Sequence, residues 1–136
     1  FVACKPPLDS SGEGSFWKVT IDSFPQAWLC LGIIGNLGAS DTSYADSTSY
    51  GWAGKVYHGG TDRSGDDGWT SFAQGECLYF HLKANKLTMF SVQKNKKFTI
   101  DVSITVGAYY IHFNSHYTGS KWTLESLSEE ECSRFL

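Results

Sequence analysis

Apolar and polar side chains along this chain alternate with a period of two far more often than with one of 3.6. Phe16-Trp-Lys-Val-Thr-Ile-Asp22 sets Trp17, Val19 and Ile21 against Phe16, Lys18 and Thr20, which predicts a strand with one buried face. Trp28-Leu-Cys-Leu-Gly-Ile-Ile34 is apolar throughout and bounded by Gly35, the pattern of a central strand covered on both sides. Gly32 inside it marks a close backbone approach. Glu76 to Leu82 alternates Leu78, Phe80 and Leu82 against Cys77, Tyr79 and His81. Leu87 to Val92 follows after Lys83-Ala-Asn-Lys86, a polar connection suited to a hairpin, so these two strands are expected to pair. Phe98 to Val102 alternates cleanly, Gly107 to Phe113 is dense in aromatics, and Lys121 to Leu124 reads as a short final strand. Seven or more short strands with turn signals between them predict an all-β sandwich or barrel. The one helical signal lies in the tail, residues 128–136, where Ser128 and Glu131 form a capping-box pattern and acids fill the first turn.

Composition narrows the function classes. At 136 residues and 15.1 kDa the chain is expected to form one domain. Eleven basic residues against fourteen acidic ones leave a formal charge of -3, which argues against nucleic-acid binding. No run approaches the ~20 apolar residues of a membrane span. The sequence opens on Phe1, and nothing before Phe16 resembles a signal peptide. It therefore reads as part of a longer polypeptide, with residues 1–14, including Lys5-Pro6-Pro7, as an extended lead-in. Cys4, Cys30, Cys77 and Cys132 could pair in three ways in a secreted protein. A chain this rich in aromatics needs no such staples, and no Asn-x-Ser/Thr sequon occurs, so reduced thiols and a cytoplasmic location are expected.

Candidate chemistry is sparse. A nucleophilic enzyme needs an activated Ser, Cys or Thr beside a base, and no Gly-x-Ser-x-Gly elbow is present. His112 and His116 have suggestive spacing, but four residues of extended strand hold them about 13 Å apart, too far to share an ion. Asp62-Arg-Ser-Gly-Asp-Asp-Gly68 lacks the Gly and bidentate Glu of an EF-hand loop. Neither a metal nor a cofactor is expected. Lys83, Lys86, Lys94, Lys96 and Lys97 cluster around one hairpin, where solvated turns and edge protection explain them most simply. Two long polar stretches, Asn36 to Ser49 and His58 to Ser71, break the strand spacing, and loops of that length often carry function.

Taken in order, the motifs resemble those of a SPRY domain over nearly the whole chain. Phe16-Trp-Lys-Val-Thr-Ile-Asp22 resembles the family's early Trp-containing strand, and Trp28-Leu-Cys-Leu-Gly-Ile-Ile34 its W.vGi strand. Ser49-Tyr-Gly-Trp52 matches the S(W/Y)G(W/L) signature, and Lys55-Val-Tyr-His-Gly-Gly60 stands at the turn that follows. Gly75-Glu76 replaces the family's Gly-Asp. Lys86-Leu-Thr-Met-Phe90 stands at its g.l.F segment, Lys94-Asn95 at its Asn-Gly turn and Tyr109-Tyr-Ile-His-Phe113 at its YP.v segment. The resemblance implies a single bent antiparallel β-sandwich of two sheets. It also implies a non-catalytic module that recognises a peptide or loop of a partner protein, often attached to ubiquitin-ligase machinery. Binding would then run through loops at one end of the sandwich: 36–49, 58–71, 93–97 and 114–121.

Such a site needs rigid aromatic anchors ringed by polar donors. Tyr44, Tyr57, Trp69, Asn114, His116 and Tyr117 are the candidates, whereas Tyr50, Trp52, Trp17 and Trp28 are expected to fill the core. The alternative from another class is a carbohydrate-binding lectin, whose sugar would stack on Trp or Tyr on a concave sheet face.

Overall fold

The computed structural model describes residues 1–23, 28–103, 106–115 and 119–136. Eleven strands among them form two antiparallel sheets. The first contains β1 (Val2–Cys4), β3 (Cys30–Ile34), β4 (Tyr50–Trp52), β5 (Val56–His58), β6 (Thr61–Asp62) and β10 (Tyr110–Asn114), in the order β1-β10-β3-β4-β5-β6. The second contains β2 (Ser15–Ser23), β7 (Cys77–Lys83), β8 (Lys86–Ser91), β9 (Lys96–Asp101) and β11 (Lys121–Leu127), in the order β11-β2-β7-β8-β9. This is the all-β sandwich that the alternation predicts.

The expected hairpin forms: β7 and β8 pair from Leu78 opposite Ser91 to Lys83 opposite Lys86, closed by the two-residue turn Ala84-Asn85. The inward set of each strand meets its counterpart between the sheets. Trp17 and Phe80 stack at 5.2 Å between ring centres, and Trp52 leans on Phe80 at 6.2 Å. Trp17, Tyr50 and Trp52 are buried in this core, as expected. Trp28 is not. It is half-buried and belongs to a second, smaller cluster with Cys30, Ala53, Tyr44 and Tyr57.

All five residues of β3 are buried, which requires cover on its outer side as well as its inner one. That cover is the 36–49 segment, which folds back in a 3-10 turn at Ser43–Ala45. At the middle of the strand Gly32 pairs with Gly51 of β4. A Cβ on Gly32 would lie 2.0 Å from the Tyr50 carbonyl oxygen, and one on Gly51 2.3 Å from that of Leu31. The close approach inferred at Gly32 is therefore real, and it excludes every side chain at both positions.

Two expectations need correction. Residues 1–14 are more than a lead-in, because Val2–Cys4 pairs with Phe113, His112 and Ile111 of β10 as an edge strand. The 58–71 stretch is not loop throughout, since Thr61–Asp62 pairs with Tyr57–His58 and a 3-10 turn follows at Asp66–Gly68.

The tail forms the expected helix, α1 (Glu129–Cys132). Ser128 Oγ accepts from the Glu131 amide, and the Glu131 carboxylate accepts from the Ser128 amide, both at 3.3 Å. Ser128→Ala is expected to cost about 1 kcal/mol. The loss will be local: amide exchange at residues 129–132 will quicken while exchange in β2 and β7 stays unchanged.

Candidate functional site

The outer face of the first sheet gathers the candidate residues. Register puts Tyr57 of β5, Gly51, Gly32 and His112 of β10 in one row across the strands, all facing outward. Over that row lies the 36–49 segment, held by a buried polar cluster. The Asn114 side-chain amide donates to the Asp41 carbonyl at 2.9 Å and to Ser43 Oγ at 2.6 Å. The Asp41 carbonyl is an acceptor only, so the amide nitrogen faces the segment. Ser43 Oγ also hydrogen-bonds His112 Nε2 at 2.8 Å. The other ring nitrogen, Nδ1, has no partner among the described residues.

A serine hydroxyl on a histidine nitrogen is also how a nucleophilic site begins. Burial removes that reading here, because Ser43 is 0% and His112 1% exposed and no substrate can reach either. Burial holds His112 well below the usual histidine range, at about 4, against the opposing pull of Asp46.

The near end of the same segment is tied by Asp46 and Thr48. Thr48 Oγ1 accepts from the Gly35 and Asn36 backbone amides at 3.1 and 2.9 Å, and Asp46 accepts from the Thr48 hydroxyl at 2.5 Å and the Asn36 side-chain amide at 3.0 Å. Partial burial pushes the Asp46 carboxyl upward, but these donors outweigh it and leave it below the usual range.

What the segment presents is aromatic. Tyr44, carried by the 3-10 turn, packs edge-on against Trp28 at 4.9 Å and tilted against Tyr57 at 5.3 Å. Tyr44 and Trp28 are half-exposed, while Tyr57 is the buried floor of the trio. Burial pushes the Tyr57 phenol and the Cys30 thiol beneath it up to about 12, so the cluster is neutral at physiological pH. At its margin Lys55 and Asp62 form an exposed ion pair at 3.0 Å. Apolar anchors with a polar rim are the anatomy of a protein interface.

The remaining candidates separate from this trio. Trp69 is corrected from anchor to core: it is 2% exposed, its indole N–H donates to the Ala53 carbonyl at 2.7 Å, and it packs on Phe72 and Phe98. Asn114 is likewise corrected, since at 3% exposed its amide is spent on Asp41 and Ser43. His116 and Tyr117 lie outside the described residues.

The lysine cluster is divided rather than shared. Lys94 pairs with Glu76 at 2.6 Å, Lys83 lies 4.0 Å from Glu13, and Lys96 reaches the Asp67 carbonyl. Among the described residues no group of three or more His, Cys, Asp or Glu could hold a metal, and no helix is long and apolar enough to cross a membrane. All four cysteines are free thiols.

Two contributors escaped the sequence reading. Trp28 reads as a residue that fills the space between the sheets, like Tyr50 and Trp52, and instead stands on the outer face. Ser43 carries no signal at all until the 36–49 segment folds onto β10.

No family profile matches the chain, and no curated protein matches it. Among solved structures, the chain is similar to the SPRY domain of human HERC1 with a TM-score of 0.62. The alignment covers 94% of this chain and 80% of that one, at 14% identity. At such low identity the likeness lies in the architecture, and that architecture is the two-sheet sandwich of a SPRY domain.

Proposed function

We propose that this chain is a non-catalytic protein-interaction module that recognises a peptide or loop of a partner protein. The carrying observation is the half-exposed pair Trp28 and Tyr44, seated on Tyr57 and held over the sheet by the buried Ser43, His112 and Asn114 cluster. Aromatic side chains fixed by their neighbours bury large area at small entropic cost on binding. The likeness to a SPRY domain supports the same reading. Tyr117, in the segment next to Asn114, is proposed to join the surface. Substrate selection for a ubiquitin ligase, with a cytoplasmic location, is the role we propose for the whole protein.

The test is capture of protein partners from cell lysate by the wild-type domain and by a Tyr44→Ala variant. The variant is expected to lose at least about fivefold in affinity for the captured partner, as a residue worth over about 1 kcal/mol does. Thermal unfolding will shift by no more than about 1 kcal/mol, because Tyr44 is only half-buried. Equal capture by both forms would remove Tyr44 from the site. Capture of glycoproteins alone, released by free sugar, would replace this reading by the lectin.

A further inference from the structure

The outer face of the second sheet carries an aromatic patch that the loop surface does not use. Register places Phe16 beside His81 and Tyr79 beside Phe90, all pointing away from the core. The first pair stacks at 4.1 Å with the rings 7° from parallel. Four rings side by side on the outside of a sheet would be an exposed patch of the kind that marks an interaction site.

The segment after β11 covers part of it. Phe135 stacks on Tyr79 at 4.3 Å and lies 5.4 Å from Phe90, and Cys132 is fully buried beneath α1. The cover is thin. Four residues of helix cannot stand alone in water, and most of residues 128–136 remain exposed. The fit is also incomplete. A hollow of about 310 Å³ remains between the strap and the sheet, lined by Glu13, Phe16, His81 and Lys83 on one side and by Glu129, Cys132 and Leu136 on the other, with Lys83 4.0 Å from the exposed Glu13 carboxylate that a partner's carboxylate would replace. It continues into a second hollow of about 270 Å³ along His81, Lys83, Lys86 and Thr88 that the strap does not enter. The groove therefore joins aromatic rings to two lysines, while the strap brings three successive glutamates and then Phe135.

We propose that this groove is a second docking surface, for an acidic peptide carrying an aromatic residue, and that residues 128–136 are its resident competitor. The partner's ring takes the place of Phe135 between Tyr79 and Phe90, and its carboxylates extend along Lys83 and Lys86. This surface is independent of Tyr44 and of the loop reading, because it lies on the other sheet.

The test uses a fluorescent peptide with the sequence of residues 128–136, titrated by anisotropy against the whole chain and against its Phe135→Ala variant. Binding to the variant is expected to be at least tenfold tighter, because the competitor has lost its ring. The same peptide with alanine for its phenylalanine is expected not to bind. A Lys83→Glu, Lys86→Glu pair added to the variant is expected to weaken binding at least fivefold. Equal affinity for both chains, no saturable binding, or binding that ignores the peptide's ring would each overturn the proposal. A Phe135→Ala chain that fails to fold would overturn it too, since a displaceable strap is not essential to the sandwich. Dimers of the wild-type chain formed by exchanged straps would make a second copy the occupant and reject the foreign peptide.

Discussion

Replacing Glu76 by alanine is expected to cost about 3 kcal/mol of folding stability, read as a lowered midpoint in urea with unchanged slope. The carboxylate is 1% exposed and accepts three hydrogen bonds, from the Ala73 amide at 2.9 Å, Ser91 Oγ at 2.5 Å and Lys94 Nζ at 2.6 Å. Removing it strands the fully buried Ser91 hydroxyl, which costs about 1–3 kcal/mol when left unmade, and breaks up the turn by releasing the Ala73 amide to solvent. Lys94 softens the loss, because its side chain is partly exposed and its ammonium already lies 4.8 Å from the Trp69 ring. That places the cost at the low end of a broken buried pair. The site also has leverage over the sheet, since Gly75 and Glu76 exchange backbone bonds with Ile21 at 2.7 and 3.0 Å. Glu76→Gln retains an acceptor but loses the charge facing Lys94, and its cost is expected to be about half. A loss below 1 kcal/mol for Glu76→Ala would show that the carboxylate does not hold this turn.

The second large effect is on pH. His112 is held at about 4 by burial, against an ordinary value near 6.5. The unfolded chain therefore takes up a proton as pH falls through about 6.5, and the folded chain does not until about 4. In that window the unfolded state binds more protons, so stability falls with falling pH, by about 3 kcal/mol across the whole interval. Above pH 7 the group contributes no slope. The depressed carboxyls of Asp9, Asp46 and Asp62 add to the loss only in more acid solution, as pH falls through their own lowered values. His112→Gln can still accept from Ser43 but cannot titrate. Its stability is expected to stay level between pH 6.5 and 4.5 where the wild type declines. Parallel curves for the two proteins would assign the decline to other groups. The charged imidazole is a donor at both ring nitrogens and is buried against Ser43, so the 36–49 segment is the first part of the molecule expected to loosen.

The strands that alternate cleanly were readable because each shows the solvent one face. Phe16 to Asp22, Glu76 to Leu82 and Phe98 to Val102 all appear within a residue or two of their expected bounds. Strands of two or three residues such as Val2–Cys4 and Thr61–Asp62 are too short to show a period, and only their partners define them. Two of the binding candidates, Trp69 and Asn114, prove to be buried for a related reason. Trp69 stands among Gly and Asp, which signals a surface loop, yet a large ring in a polar loop is the piece that the loop drives inward to fix itself. Asn114 looked like a rim donor because Asn favours surfaces. Its amide instead satisfies a carbonyl and a hydroxyl in a segment some seventy residues earlier, a pairing that no local window contains. Tyr44 and Tyr57 were readable as an aromatic in a polar loop and one in the turn segment after the signature, but their union on Trp28 was not.

The facing glycines of β3 and β4 set a rule for anyone who would re-engineer this surface. The covering segment is tied through Asn36, Asp41, Ser43, Asp46 and Thr48, so its other exposed positions can accept many residues and acquire new specificities. The floor beneath cannot be redesigned at Gly32 or Gly51, because the space for even a methyl group is filled by neighbouring backbone. A library that randomises the remaining exposed positions of 36–49 while holding those ties and the two glycines would sample recognition without sampling misfolding.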